Sequence, residues 1–256
     1  MSISTEGRRS ESGIGEIVWV IIQAVLIAVV IRTLLFQPFN IPSGSMMGTL
    51  LVGDYLFVSK FSYGYSHYSL PLSPPLFSGR VFAAEPQRGD VVVFRLPRED
   101  STDYIKRVIG LPGDRIQMVG GQLKINGQLV KHEPAEDFRD DENGDQRVRR
   151  WRETLPNGVT YYTLDLYPNG MLDNTNEYVV PAGHYFMMGD NRDNSTDSRV
   201  SPADGGVGYV PFENLIGKAQ IIFFSVGPYH GQPTSAWQFW KWPWTVRWSR
   251  LFTIVR

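Results

Sequence analysis

The sequence predicts a mainly β protein: one N-terminal transmembrane helix, then a β-rich ectodomain of antiparallel sheets with an inserted subdomain. Three observations predict it: an apolar run near the start of the chain, a series of short β-branched and aromatic runs punctuated by Gly and Pro, and a polar block in mid-chain. The expected divisions are a tail over 1–15, an anchor over 16–36, a β core over 37–114 and 184–256, and the inserted subdomain over 115–183.

The anchor rests on Ile17 to Ile31, IVWVIIQAVLIAVVI, which continues through Arg32 and Thr33 to Phe36. At about 1.5 Å per residue the stretch covers roughly 30 Å, the thickness of a bilayer's hydrocarbon core. The apolar region is longer than that of a cleaved leader, and no small-residue cleavage site follows it. Arg32 lies about one turn from the far end, where its guanidinium can snorkel to the interface. Arg8 and Arg9 favour an inside tail, which puts the rest of the chain outside.

Beyond Pro38, strands are expected at Tyr55–Val58, Val91–Phe94, Tyr104–Ile109, Gln122–Ile125, Tyr178–Val180, Tyr185–Met188 and Ala219–Phe224. Hairpin turns are expected at Asn126-Gly127, Asn157-Gly158 and Asn169-Gly170. From His132 to Arg152 charges of both signs crowd out apolar residues, which reads as part of an insertion or a long exposed excursion. Ser66 to Pro86, rich in Ser, Pro and aromatics, reads as a loop.

Composition narrows the function. With 42% apolar and 20% charged residues, 256 residues suffice for a packed core. A net charge of −1 supplies no basic field for phosphates, so nucleic acid is not an expected partner. The absence of cysteine removes disulfides, Fe–S ligation and thiolate catalysis.

Two segments offer a nucleophile and a base. Ser45 lies in Ile41-Pro-Ser-Gly-Ser-Met-Met47, nine positions past Phe36, so a reaction there would run close to the bilayer. Taken alone, P-S-G-S is turn composition, and Ser45 needs a partner. No G-x-S-x-G surrounds it to suit His67, His132, His184 or His230, and Gly48 stands where an S-x-x-K motif needs lysine. Lys106 lies in Tyr104-Ile-Lys-Arg-Val-Ile109, where alternation puts it on one face with Tyr104 and Val108. If that face is buried, desolvation lowers the lysine pKa and frees a neutral amine as base; the bland alternative is a snorkelling lysine on an edge strand. Arg107, on the other face, reads as surface charge.

The third segment, Met188-Gly-Asp-Asn-Arg-Asp-Asn-Ser-Thr-Asp-Ser-Arg199, suits a loop stitched by short polar side chains. A calcium loop starting at Asp193 competes, but its sixth residue is Ser198 rather than Gly and its twelfth Asp204 rather than Glu. No metal is expected.

These three segments, with Arg88-Gly-Asp-Val-Val-Val-Phe94 and Gly110-Leu-Pro-Gly-Asp114, resemble in the same order the boxes of bacterial type I signal peptidases, from the anchor to about Ala219. The resemblance implies a serine endopeptidase that removes signal peptides from exported preproteins. It implies a single-pass protein of the bacterial inner (cytoplasmic) membrane with its catalytic domain on the outer, periplasmic side. Preprotein signal peptides and membrane lipid are then the partners, with no cofactor. It makes Ser45 the nucleophile, Lys106 the general base and Ser43 an oxyanion donor beside the Ser45 N–H. Ser195 matches the serine that orients the lysine, Asp197 and Arg199 a supporting ion pair, and Asp190 and Arg192 motif positions of more structural role. A narrow-substrate peptidase of the same superfamily and a noncatalytic membrane-tethered calcium- or partner-binding β module are the rivals.

Two departures stand out. Gly48 replaces a proline common in the family, which suggests a looser backbone after Ser45. Val200 to Val207 lengthens the link after Arg199. Outside the family boxes, the stretch Ala236 to Arg256 holds five of the seven tryptophans among Lys and Arg. Such a mixture suits a second contact with lipid headgroups, while packing into the core or a dimer is the competing expectation.

Overall fold

The computed structural model describes residues 13–99, 101–140, 146–228 and 237–256. Most of the expected tail over 1–15, and His230, fall outside them. The chain opens with helix α1 (Ile14–Leu34), 21 residues long and without one buried side chain. Among the described residues it is the one helix long and apolar enough to cross a membrane. It stops two residues short of Phe36, which instead begins the first strand.

The strands follow in order: β1 (Phe36–Asn40), β2 (Asp54–Ser59), β3 (Val91–Arg95), β4 (Asp103–Gly110), β5 (Arg115–Val119), β6 (Gln122–Ile125), β7 (Gln128–Leu129) and β8 (Lys131–Pro134). After them come β9 (Phe138–Asp140), β10 (Gln146–Thr154), β11 (Thr160–Asp165), β12 (Tyr178–Val179), β13 (His184–Met188), β14 (Val210–Pro211), β15 (Leu215–Ser225) and β16 (Thr253–Ile254). An eight-stranded sheet runs β1-β2-β15-β3-β4-β13-β14, with β16 against β15. Pro38, which cannot donate a ladder hydrogen bond, sits on the edge strand β1, where that omission costs little. The central strand β3 is buried on both faces from Val91 to Phe94, in keeping with its unbroken Val-Val-Val-Phe.

Residues 115–183 form two small sheets, β12-β5-β6-β7 and one built on β10 with β8, β9 and β11. They share an interior with the main sheet, because Ile116, Leu123, Leu155 and Tyr161 pack in one cluster with Ile109, Phe186 and Met188. The described parts of the His132–Arg152 stretch are therefore not a free excursion, although many of their charges face solvent. They form the paired strands β8, β9 and β10, whose strand character went unread because β10 carries four Arg around Val148 and Trp151. Asn126-Gly127 makes the β6–β7 hairpin with both residues at positive φ, and Asn157-Gly158 turns β10 into β11. Asn169-Gly170 is a correction: it turns a corner inside the connection from β11 to β12 and joins no hairpin.

The C-terminal stretch folds back along β15. Trp242 packs on Phe224 at 4.9 Å between ring centroids. Trp237, Trp240, Trp244 and Trp248 remain exposed, so the core-packing expectation fails for these four. The stretch is tied down by cations rather than by its indoles: Arg250 pairs with the buried Asp54, and Arg247 donates to the Val52 carbonyl.

Candidate active site

The Ser45 turn is held from both sides. Gly44–Met46 form one turn of 3-10 helix after an extended Ser43. Met46 and Leu50 plunge into the core between β2, β3 and β15, fully buried. Truncating either to Ala would cost about 2–5 kcal/mol, so the turn has little freedom to drift. From the polar loop, the Asn191 N–H donates to the Ser45 carbonyl at 3.1 Å, and its side-chain amide donates to the Gly44 carbonyl at 3.1 Å.

Lys106 comes from β4, paired opposite Val92 of β3, and is 3% exposed. Its Nζ donates to Ser45 Oγ at 2.6 Å and lies 5.4 Å from the centre of the Tyr104 ring. Burial pushes its pKa from the ordinary 10.5 down to about 8; the charges of Asp197 and Asp190 pull it back up, and Arg199 pushes it further down. A neutral amine beside a serine hydroxyl is equipped to take that hydroxyl's proton. Ser43 Oγ lies 3.5 Å from Ser45 Oγ on the exposed side of the turn.

The loop after β13 supplies the charges behind the lysine. Arg199 makes a two-pronged pair with Asp197, at 2.9 Å to each oxygen, and the Gly189 N–H adds a 3.0 Å bond. Burial raises the Asp197 pKa, but the Arg199 charge and its hydrogen bonds, together with the Gly189 and Arg199 amides, hold the carboxyl below its usual range. Asp190 accepts Nε and Nη2 of Arg107 at 2.8 and 2.6 Å and the Thr49 hydroxyl at 2.5 Å. Arg192 reaches across to Glu153 of β10. Ser195 Oγ is buried against Gly189, where a Cβ would strike both that hydroxyl and the Ser45 carbonyl. Among the described residues it makes no hydrogen bond, to Lys106 or to any other group. Asp193 spends Oδ2 on the amides of Leu166 and Tyr167, so its carboxylate braces the loop.

Two readings of the sequence change here. Arg107 is not surface charge: it is fully buried, bound to Asp190 and stacked 4.1 Å from the centre of the Tyr161 ring. Gly48 is not a looser link. Its φ of +109° lies where proline cannot follow, and a Cβ would come within 3.3 Å of the Tyr162 carbonyl. The segment after Arg199 is an ordered turn, capped by the Ser201 hydroxyl on the Asp204 amide and tied by the Val207 N–H to the Asp197 carbonyl. Glu153, Tyr161 and Thr49 escaped sequence reading altogether, because nothing local to them signals that the fold gathers them around the polar loop.

A groove of about 400 Å³ opens over Ser45, lined by Phe39 to Gly44 on one side and Thr102 to Lys106 on the other. Among the described residues, β13 pairs with β4 only from Arg107 onward, and β1 pairs only with β2. Two strand edges therefore face a cleft wide enough for an extended chain. The site can hold a peptide, present a hydroxyl to it and remove the proton.

Comparison with known proteins agrees with this chemistry. The family model described as "Signal peptidase, peptidase S26" matches residues 14–224. A signal peptidase I of Rickettsia typhi is 48% identical over 209 residues, 78% of this chain and 76% of the relative. That of Rickettsia akari is 46% identical over 215 residues, 81% and 78% of the two chains. A family match over most of the chain, and relatives this similar over three quarters of their own length, place the chain in the signal peptidase family of S26 peptidases and make it a serine endopeptidase.

Proposed function

We propose that the protein is a membrane-anchored endopeptidase that cuts signal peptides from exported preproteins by a Ser45–Lys106 dyad. The buried 2.6 Å bond from Lys106 Nζ to Ser45 Oγ, at the floor of an open, peptide-sized groove, carries the reading. Neutral Lys106 takes the Ser45 proton as Oγ attacks the scissile carbonyl. The oxyanion is met by the Ser45 N–H and the Ser43 hydroxyl, and Lys106 returns the proton to the departing amine. Water, deprotonated by the same amine, then releases the acyl group from Ser45. Asp197–Arg199 and Arg107–Asp190 set the potential around the amine, and Ser195 supports the wall behind it. The substrate adds as a strand between β1 and β4. Helix α1 crosses the bacterial cytoplasmic membrane, with the β domain on the outer face, where the preprotein's own apolar segment delivers its cleavage site.

The test is cleavage of a panel of purified preproteins in detergent, with Ser45→Ala as control. The reading expects cutting of many preproteins, abolished in the variant. Cutting of one preprotein alone would restrict it to a narrow-substrate peptidase, and undiminished cutting by Ser45→Ala would overturn it.

A further inference from the structure

Where α1 meets the β domain, two cavities adjoin and share Arg32. The first, about 270 Å³, is polar and is lined by Arg32, Gln37, Lys60, Tyr68, Arg95 and Asp103. The second, about 460 Å³, is apolar and lies between Ala28 and Ile31 of the helix and Phe36, Pro38 and Phe57 of β1 and β2. The junction is built rather than tethered: the Lys60 N–H donates to the Leu35 carbonyl at 3.0 Å, and the Tyr65 hydroxyl to the Leu34 carbonyl at 2.7 Å.

The polar cavity holds three cations against one carboxylate. Asp103 is engaged by Arg95 at 3.0 Å. Lys60 is 2% exposed, yet its ammonium forms no ion pair among the described residues, and its one hydrogen bond there goes to the neutral Ser69 carbonyl at 2.6 Å. Leaving a buried cation with no anionic group in contact is costly, and an anion entering the cavity would supply one. Burial first, and then the nearby Arg32 charge, lower the Lys60 pKa to about 8, and the Asp103 charge pulls it back up only in part. Leu72, on the rim, projects fully into solvent at a positive φ of 63°, a posture suited to an apolar neighbour outside the protein.

We propose that this junction holds one anionic phospholipid, with its phosphate against Arg32, Lys60 and Arg95 and an acyl chain in the crevice between α1 and β1. A polar cavity beside an apolar one at the mouth of a spanning helix matches a charged headgroup joined to a hydrocarbon chain, and the cation excess selects the anionic kind. Asp103 also lines the groove over Ser45, so the lipid lies one residue away from the bound substrate. The inference rests on α1 crossing the bilayer and is independent of proteolysis.

Native mass spectrometry of the full-length protein, released from detergent with equal amounts of phosphatidylglycerol and phosphatidylcholine, tests it. One phosphatidylglycerol should survive collision energies that strip phosphatidylcholine. Arg32→Gln should lower that retention about fivefold, and Arg32→Gln with Arg95→Gln further, at about 1 kcal/mol per cation lost. Arg32 is exposed, so the single variant keeps the test valid if the double one unfolds. Inorganic phosphate at millimolar concentration should not displace the lipid; displacement would assign a free-anion site and overturn the lipid. Equal retention of the two lipids, or no change in Arg32→Gln, would also overturn it. Peptide cleavage by the wild-type protein, measured in parallel, reads the proteolytic proposal separately.

Discussion

Arg192 of the polar loop and Glu153 of β10 form a two-pronged ion pair almost sealed from solvent, with the Tyr161 hydroxyl completing it at 2.7 Å from Glu153. It fastens residues 115–183 to the loop that backs Lys106. Glu153→Gln leaves a buried guanidinium unmatched, so a loss of about 3–5 kcal/mol is expected in thermal or denaturant unfolding. Arg152→Gln, one position away in an exposed pair, should leave the melting temperature almost unchanged. Equal small effects for both would mean the pair carries no weight.

Cleavage should follow Lys106. With its pKa at about 8, kcat/KM on a soluble peptide should climb tenfold per pH unit below that value and level off above it. Lys106→Met should abolish cleavage and raise the unfolding temperature at pH 7. The sign follows from linkage: an unfolded lysine titrates near 10.5, so below about 8 both states are protonated and the folded state bears the whole penalty, on the order of 3 kcal/mol. Between about 8 and 10.5 the unfolded chain holds more protons, and stability rises with pH as the penalty is relieved. A flat rate profile from pH 5 to 9 would remove Lys106 as the base.

Ser43 sits close enough to the reacting hydroxyl to meet the oxyanion. Ser43→Ala should lower kcat by about 10²- to 10³-fold with little change in KM, and Ser43→Thr should keep much of the rate. A silent Ser43→Ala in steady-state assays would remove it from the mechanism.

Gly48→Pro introduces the residue common in the family and should nonetheless be damaging here. Proline holds φ near −65° while the chain requires +109°. Gly48→Ala should cost about 1–3 kcal/mol through its positive φ and the Tyr162 carbonyl. Wild-type stability and rate in the proline variant would show that the turn adapts.

The exposed Trp240, Trp244 and Trp248 suit headgroup contact. Replacing all three with Ser should slow cleavage of membrane-inserted preprotein far more than cleavage of a soluble peptide. Equal losses on the two substrates would assign the indoles a packing role.

How much could be read in advance depended on whether the signal was local. The unbroken apolar run Val91–Phe94 and the alternating run Gln122–Ile125 marked strands nearly residue for residue, and the apolar run near the start gave α1. Ser45 and Lys106 were legible because their boxes occur together, 61 residues apart, and the fold closes that gap to a single hydrogen bond. Arg107 was misjudged because alternation separates two faces without telling which is wet, and here both are dry. β8 to β11 were missed since their charges are neutralised by partners distant in sequence, as Arg192 does for Glu153. The left-handed Gly48 depended on the Tyr162 carbonyl lying close by, which no neighbouring residue announces.

Lys106 and Arg107 are neighbours on β4 with opposite obligations: one must surrender its proton and the other must keep it. The two sides of the strand give them separate electrical environments only 3.8 Å apart along the backbone. A slip of β4 by a single position against β3 would exchange them, setting a permanently charged guanidinium against Ser45 and an amine against Asp190. The pairing of Val92 with Lys106 therefore works as a frame lock, and hydrogen bonds far from any substrate decide which side chain is allowed to be a base.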